Sequence, residues 1–121
     1  MNFKDTQSIY LQIGDYVCEQ ILIDTWKEEE RIPSVRELAV SLQVNPNTVV
    51  RAYEYLLSNE IIFNKRGIGY FVESDAKIKI MNYLRKQFLE QELPFVFKNM
   101  DLLNMSIEDV KQEYESYKKS E

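Results

Sequence analysis

The stretch IPSVRELAVSLQVNPNTVVRAYEYL holds two arginines, Arg36 and Arg51, in a segment whose remaining periodicity is apolar. Asn45, Asn47 and Thr48 lie between them, and the later run NKRGIG carries Lys65, Arg66 and Gly67. Guanidinium and ammonium groups neutralise phosphates, an arginine fork matches the acceptor pair of guanine, and amides or hydroxyls can meet base edges or phosphate oxygens. Other chemistry lacks its parts. The chain has no histidine and a single cysteine, Cys18, so a nucleophile–base–orienter set, a structural zinc site and a disulfide framework are all out of reach. No catalytic residue, metal or cofactor is expected, and the lone cysteine points to a reducing compartment.

Isolated arginines on a helix are usually solvated face charges, so the elements that carry these two decide their meaning. Apolar residues from Ser8 to Trp26, among them Ile9, Ile13, Val17, Ile21 and Ile23, recur at helical spacing and predict a first amphipathic helix, with Gly14 inside it at a cost of about 1 kcal/mol. WKEEER follows as a polar connection. Ser34 with Glu37 three residues on has capping-box spacing, and Val35, Leu38, Ala39 and Leu42 form the buried stripe of a short second helix. VNPNT breaks it: Asn45 suits an N-cap and Pro46 the first helical position. A third helix then turns Val49, Ala52, Tyr53, Leu56 and Leu57 inward, leaving Asn47, Thr48 and Arg51 outside.

Past Leu57 the period changes. Ile61–Phe63 and Tyr70–Val72, rich in β-branched and aromatic residues around a two-glycine turn, predict a β-hairpin with Lys65, Arg66 and Gly67 at its tip. Three helices closed by such a hairpin make a winged helix-turn-helix, in which the third helix offers its N-terminal residues to the major groove and the wing tip can lay a cation along the minor groove. Tyr53, Tyr70, Phe71 and Trp26 are expected to pack rather than to stack on bases.

Beyond Ser74 the pattern is helical again until Pro94, which should kink or restart the helix. FVFKNMDLL forms a further piece, and Ser106 with Asp109 a capping box for the last helix. The expected fold class is mostly α with a small β-hairpin: a winged helix-turn-helix domain over residues 1–74 and a short antiparallel helical region over residues 75–121. Met81, Leu84, Phe88, Phe95, Phe97, Met100 and Leu103 give that region more apolar surface than a few short helices can bury alone. A second copy of the chain is the expected cover, making a homodimer.

Composition, at 45% hydrophobic and 29% charged residues, is that of a folding globular chain. The net charge of −5 opposes a nucleic-acid partner if read globally. Its distribution does not: residues 1–30 sum to −5, residues 31–72 to +2 and residues 73–121 to −2. Screening acts over about 8 Å at physiological salt, so a locally basic face can still meet phosphates. No apolar run approaches a membrane span of about 20 residues and the N-terminus lacks a signal-peptide pattern, so a cytoplasmic location and no membrane partner are expected.

IYLQI, RIPSVRELAVSLQVNPNTVVRAYEYL and KRGIGYFV, in this order and spacing over about residues 8–73, resemble the GntR family of bacterial transcription regulators, and the short helical tail is similar to its YtrA-like subfamily. The resemblance implies a homodimeric regulator, a repressor by analogy, on a palindromic double-stranded operator, with control of a transporter operon. It implies DNA contacts from Arg36, Asn45, Asn47, Thr48, Arg51, Arg66 and Gly67, to which the hairpin charge adds Lys65. The tail is too short to enclose an effector pocket alone, so a small-molecule effector is left unassigned, with any site expected between subunits or at the head–tail junction. Three positions differ from the family pattern: Gln43 and Glu60 stand where glycine is usual, and Val50 where some members have a polar group. A different class of function, a winged module that binds another protein rather than DNA, would suit the acidic total.

Overall fold

The protein is represented by a computed structural model that describes residues 8–121; residues 1–7, the start of the expected first domain, lie outside it. Two compact units divide the chain, Met1–Leu84 and Arg85–Glu121. The first contains α1 (Ile9–Leu22), α2 (Val35–Leu42), α3 (Pro46–Ser58), β1 (Ile62–Lys65), β2 (Gly69–Val72) and most of α4 (Ala76–Gln87). The second carries the end of α4, a π-helical turn over Phe88–Glu92, α5 (Leu93–Leu102) and α6 (Ile107–Lys119).

Burial in the first unit follows the expected stripes. Val17 and Ile21 of α1, Leu38 of α2, Val49, Ala52, Tyr53 and Leu56 of α3, Ile62 and Val72 of the hairpin and Ala76 and Ile80 of α4 form one apolar core, and no polar or charged residue is buried among the described residues. The hairpin is antiparallel, with Ile62 opposite Val72 and Lys65 opposite Gly69. Together these are the helix-turn-helix and wing that the sequence predicts.

Two expectations need correction. The first helix stops at Leu22 rather than Trp26: Asp24 takes a left-handed φ of 66°, Ile23 is 63% exposed, and Trp26 packs edge-to-face on Tyr16 from outside the helix. The polar connection after it is also more ordered than its composition implies. Ile32 donates to Tyr70 (2.9 Å), Glu29 to Val72 (2.8 Å), and Val72 returns a bond to Glu30 (2.9 Å), so residues 29–32 run antiparallel along the free edge of β2, with Arg31 opposite Phe71. Backbone pairing of this kind is indifferent to side-chain polarity.

In the second unit the chain passes Pro94 without a break. Proline removes one amide donor and crowds the carbonyl four residues earlier; the wider winding of residues 88–92 accommodates this, and α5 restarts with Pro94 in its first turn. Ser106 and Asp109 form the expected capping box, with bonds of 2.8 and 3.1 Å. None of the residues of the π turn, α5 or α6 is fully buried.

Candidate nucleic-acid interface

Ser34 and Glu37 cap α2 reciprocally, the hydroxyl accepting from the Glu37 amide (3.1 Å) and the carboxylate from the Ser34 amide (2.9 Å). The Ser34 amide, then its hydroxyl, and more weakly the charge of Arg31, hold the Glu37 carboxyl below its ordinary value. Arg36 is the second residue of this helix and is exposed. The Tyr53 hydroxyl reaches back from α3 to the Pro33 carbonyl at 2.6 Å, tying the entry of α2 to the centre of α3.

The turn between the helices is made without glycine. Gln43 adopts φ 56° and ψ 49°, Val44 donates to Ala39 (3.0 Å) and Gln43 to Val40 (3.3 Å), a Schellman closure that satisfies the last carbonyls of α2. Asn45 then caps α3, its side-chain oxygen accepting from the Asn47 amide at 2.8 Å. That bond engages the oxygen of Asn45 and leaves its amide donors for another partner. Arg51 follows Asn47 by four residues and Thr48 by three, so it neighbours each of them on the helix surface. Asn47 and Arg51 are exposed and Thr48 half-buried.

Arg51 is not a loose side chain. Its guanidinium lies 4.2 Å from the ring centroid of Tyr10, and Tyr10 in turn packs edge-to-face on Tyr55 at 6.3 Å. Cation–π packing of this sort fixes the plane of the fork while its donors stay outward. Tyr10 is not among the apolar positions that predict α1; its place as a seat for Arg51 depends on the crossing of α1 and α3.

At the wing tip Ile68 donates to the Lys65 carbonyl at 2.9 Å, and Gly67 at φ 80° holds the left-handed position this turn requires. Lys65, Arg66 and Gly67 are exposed. The Lys65 ammonium rests 4.5 Å from the ring centroid of Phe71, whose ring stacks on Phe63. A further cation, Arg31, was hidden in the polar connection. Its guanidinium lies beside Gly69 of β2, where a Cβ (φ 148°) would come within 2.8 Å of its Nε, so the glycine is what lets this guanidinium lie across the strand. Ile68, 59% exposed beside Arg66, adds an apolar tip to the wing.

These parts are coupled by short links. The wing strand β2 is bonded to residues 29–32, that segment leads directly into the Ser34 cap, and Pro33 is held by Tyr53. Arg31, Arg36, Arg51, Lys65 and Arg66 are therefore exposed on one compact head, on elements whose spacing is set by buried contacts. No group of histidine, cysteine, aspartate and glutamate among the described residues could hold a metal, and no helix there is long and apolar enough to cross a membrane.

Comparison with known proteins agrees with this geometry. Residues 9–72 match the model of the bacterial regulatory proteins of the gntR family. Two similar relatives come from Bacillus subtilis: the uncharacterized HTH-type transcriptional regulator YhcF, 31% identical over 89% of this chain and 88% of its own length, and the HTH-type transcriptional repressor YtrA, 35% identical over 73% of this chain and 68% of its own. A crystal structure of a transcriptional regulator of the same family from Bacteroides thetaiotaomicron is 47% identical, with a TM-score of 0.75 over 93% of this chain and 98% of that one.

Proposed function

The chain belongs to the gntR family of bacterial regulatory proteins, a family of transcriptional regulators and not of enzymes, and on that premise we propose that it represses transcription as a homodimer bound to a palindromic operator. Arg36, Asn45, Asn47, Thr48 and Arg51 contact one half-site in and beside the major groove, while Lys65, Arg66 and Gly67 hold the neighbouring backbone or minor groove. The observation that carries this reading is the exposed first turns of α3, with Arg51 seated on Tyr10 and the helix start capped by Asn45. The dipole at that helix start adds to the attraction for phosphate. The regulated genes are expected to be transporter genes, by the resemblance to YtrA-like regulators, and the site of action the cytoplasm.

Dimerisation is supported by the exposure of large apolar side chains along the last third of the chain. Met81, Phe88, Phe95, Phe97 and Leu103 are each at least 46% exposed, and Met100 half-buried. Leu84 differs, since it packs partly against the core of the head and has less surface to give. Large apolar side chains exposed in this number are unusual on a monomer. Two copies related by a two-fold axis would present two α3 helices to two half-sites about one helical turn apart.

The test is a gel shift with duplex from upstream of the chain's own gene, together with a salt titration. Phosphate neutralisation makes log affinity fall linearly with log salt. A steep slope with a defined shifted band supports the reading; a salt-insensitive interaction with another protein would favour the interaction-module alternative that the acidic total allows.

A further inference from the structure

A pocket of about 290 Å³ opens in the head between α1, α3 and α4, away from the first turns of α3. Leu56 and Ile80, fully buried core residues, contribute to its largely apolar wall, and Asp15, Cys18, Tyr55, Asn59, Asn82 and Tyr83 bring uncharged or acidic polar groups. Its size lies at the lower edge of the roughly 300–1,000 Å³ of ordinary ligand sites, which suits one substituted ring and excludes a nucleotide.

Charge narrows the class. Lys79, also on the wall, is committed to the carboxylates of Asp75 (3.2 Å) and Glu60 (3.4 Å) and brings no surplus positive charge. Asp15 is the acidic group of the wall. Burial foremost, then the hydrogen bond from Tyr55 to Tyr83 (3.2 Å) and the charge of Asp15, push the Tyr55 hydroxyl up, and burial with Asp15 does the same for the Cys18 thiol. Both groups thus stay neutral, and among the described residues of the wall an anion would meet a carboxylate and no free cation. We propose that this pocket binds a small protonated organic amine, its apolar body against Leu56 and Ile80 and its ammonium toward Asp15 and the Tyr55–Tyr83 hydroxyl pair. A carboxylate has about four acceptor positions, so it can take a further donor beside those it already meets.

Occupancy has a path to the candidate DNA-binding face. Tyr55, in the pocket wall, packs on Tyr10, and Tyr10 carries the guanidinium of Arg51. An amine that moves Tyr55 therefore moves the seat of Arg51 and changes affinity for DNA. This regulatory consequence rests on the DNA-binding reading above; binding in the pocket does not.

The experiment is an amide NMR titration of the full chain, without DNA, using benzylamine, benzyl alcohol and benzoate as probes. Saturable shifts centred on Asp15, Leu56 and Ile80 are expected, with benzylamine binding about tenfold more tightly than the alcohol and benzoate weakest. Asp15→Asn should abolish the preference for the amine, and Asn82→Trp, at an exposed position of the same wall, should abolish the shifts while the remaining spectrum stays folded. Absence of saturable shifts with all three probes, equal affinity for amine and alcohol, or full benzylamine binding by Asn82→Trp would each overturn the proposal. A separate anisotropy titration on operator duplex with and without benzylamine reads the link to Arg51, so failure of that link and failure of the pocket are told apart.

Discussion

The hydroxyl of Tyr53 donates to the carbonyl of Pro33 at 2.6 Å, across twenty residues of sequence and at the boundary of the core. It is the polar contact that fixes where α2 begins relative to α3, and the ring meets Tyr70 of the wing edge-to-face at 4.9 Å. Tyr53→Phe keeps the ring and removes the donor, leaving a partly buried carbonyl without its partner. Urea denaturation should show a loss of about 1–2 kcal/mol with an unchanged m-value. A neutral result would mean that packing alone aligns the two helices.

Gln43 occupies the left-handed position that closes α2. An L-residue there costs about 1–2 kcal/mol relative to the right-handed well, and glycine escapes that cost while adding freedom to the unfolded chain. Gln43→Gly is therefore expected to stabilise the fold by about 0.5–1 kcal/mol, read as a rise in melting temperature. Gln43→Val should lower it, because a β-branched residue is least tolerated at positive φ.

The cap of α2 predicts a pH dependence. Glu37 titrates below its ordinary value of 4.5 in the folded chain, chiefly through the Ser34 amide. A depressed folded value means that its contribution is complete above about pH 4.5 and is lost as pH falls through the lower folded value. Glu37→Gln should flatten this part of the acid limb in a denaturation series from pH 6 to pH 2.5. Ser34→Ala, which removes the reciprocal bond, should cost about 1 kcal/mol at neutral pH.

Cys18 predicts the opposite slope at high pH. Burial, and secondarily Asp15, push its thiol up to about 12. In the native chain it should react with a disulfide reagent at pH 8 far more slowly than after addition of denaturant, because the thiolate is the nucleophile. Stability from the neutral buried thiol is complete below the unfolded value and declines as pH rises from about 9 toward 12. Cys18→Ser should react with nothing and should remove that decline.

The same helix ends show what was legible in the sequence. N-termini were readable: Ser34 with Glu37, Asn45 with Pro46 and Ser106 with Asp109 each form the cap their spacing implies. The C-terminus of α1 was not, because helix stops are usually read from glycine and this chain has three glycines, none at a helix end. Asp24, Gln43, Glu60 and Asn104 take the left-handed position instead, each beside a residue whose amide closes back on the helix. Glu60, which stands where glycine is usual in the family, holds the left-handed conformation at φ 56°, and Lys79 bonds both its carbonyl and its carboxylate. The strand-like run of residues 29–32 and the seat of Arg51 on Tyr10 were illegible for another reason: both are made by partners far away in sequence. Apolar periodicity, by contrast, located the core of the head nearly residue by residue.

The central claim is that a small basic face on an acidic chain grips duplex DNA through α3 and the wing. Fluorescence anisotropy with a labelled duplex from upstream of the gene, at low ionic strength, measures it directly. Wild-type chain should bind saturably, and Arg36→Ala and Arg51→Ala, both folded, should each lose about 1–3 kcal/mol of binding free energy. Lack of binding by the wild-type chain, or undiminished affinity in both variants, would contradict it.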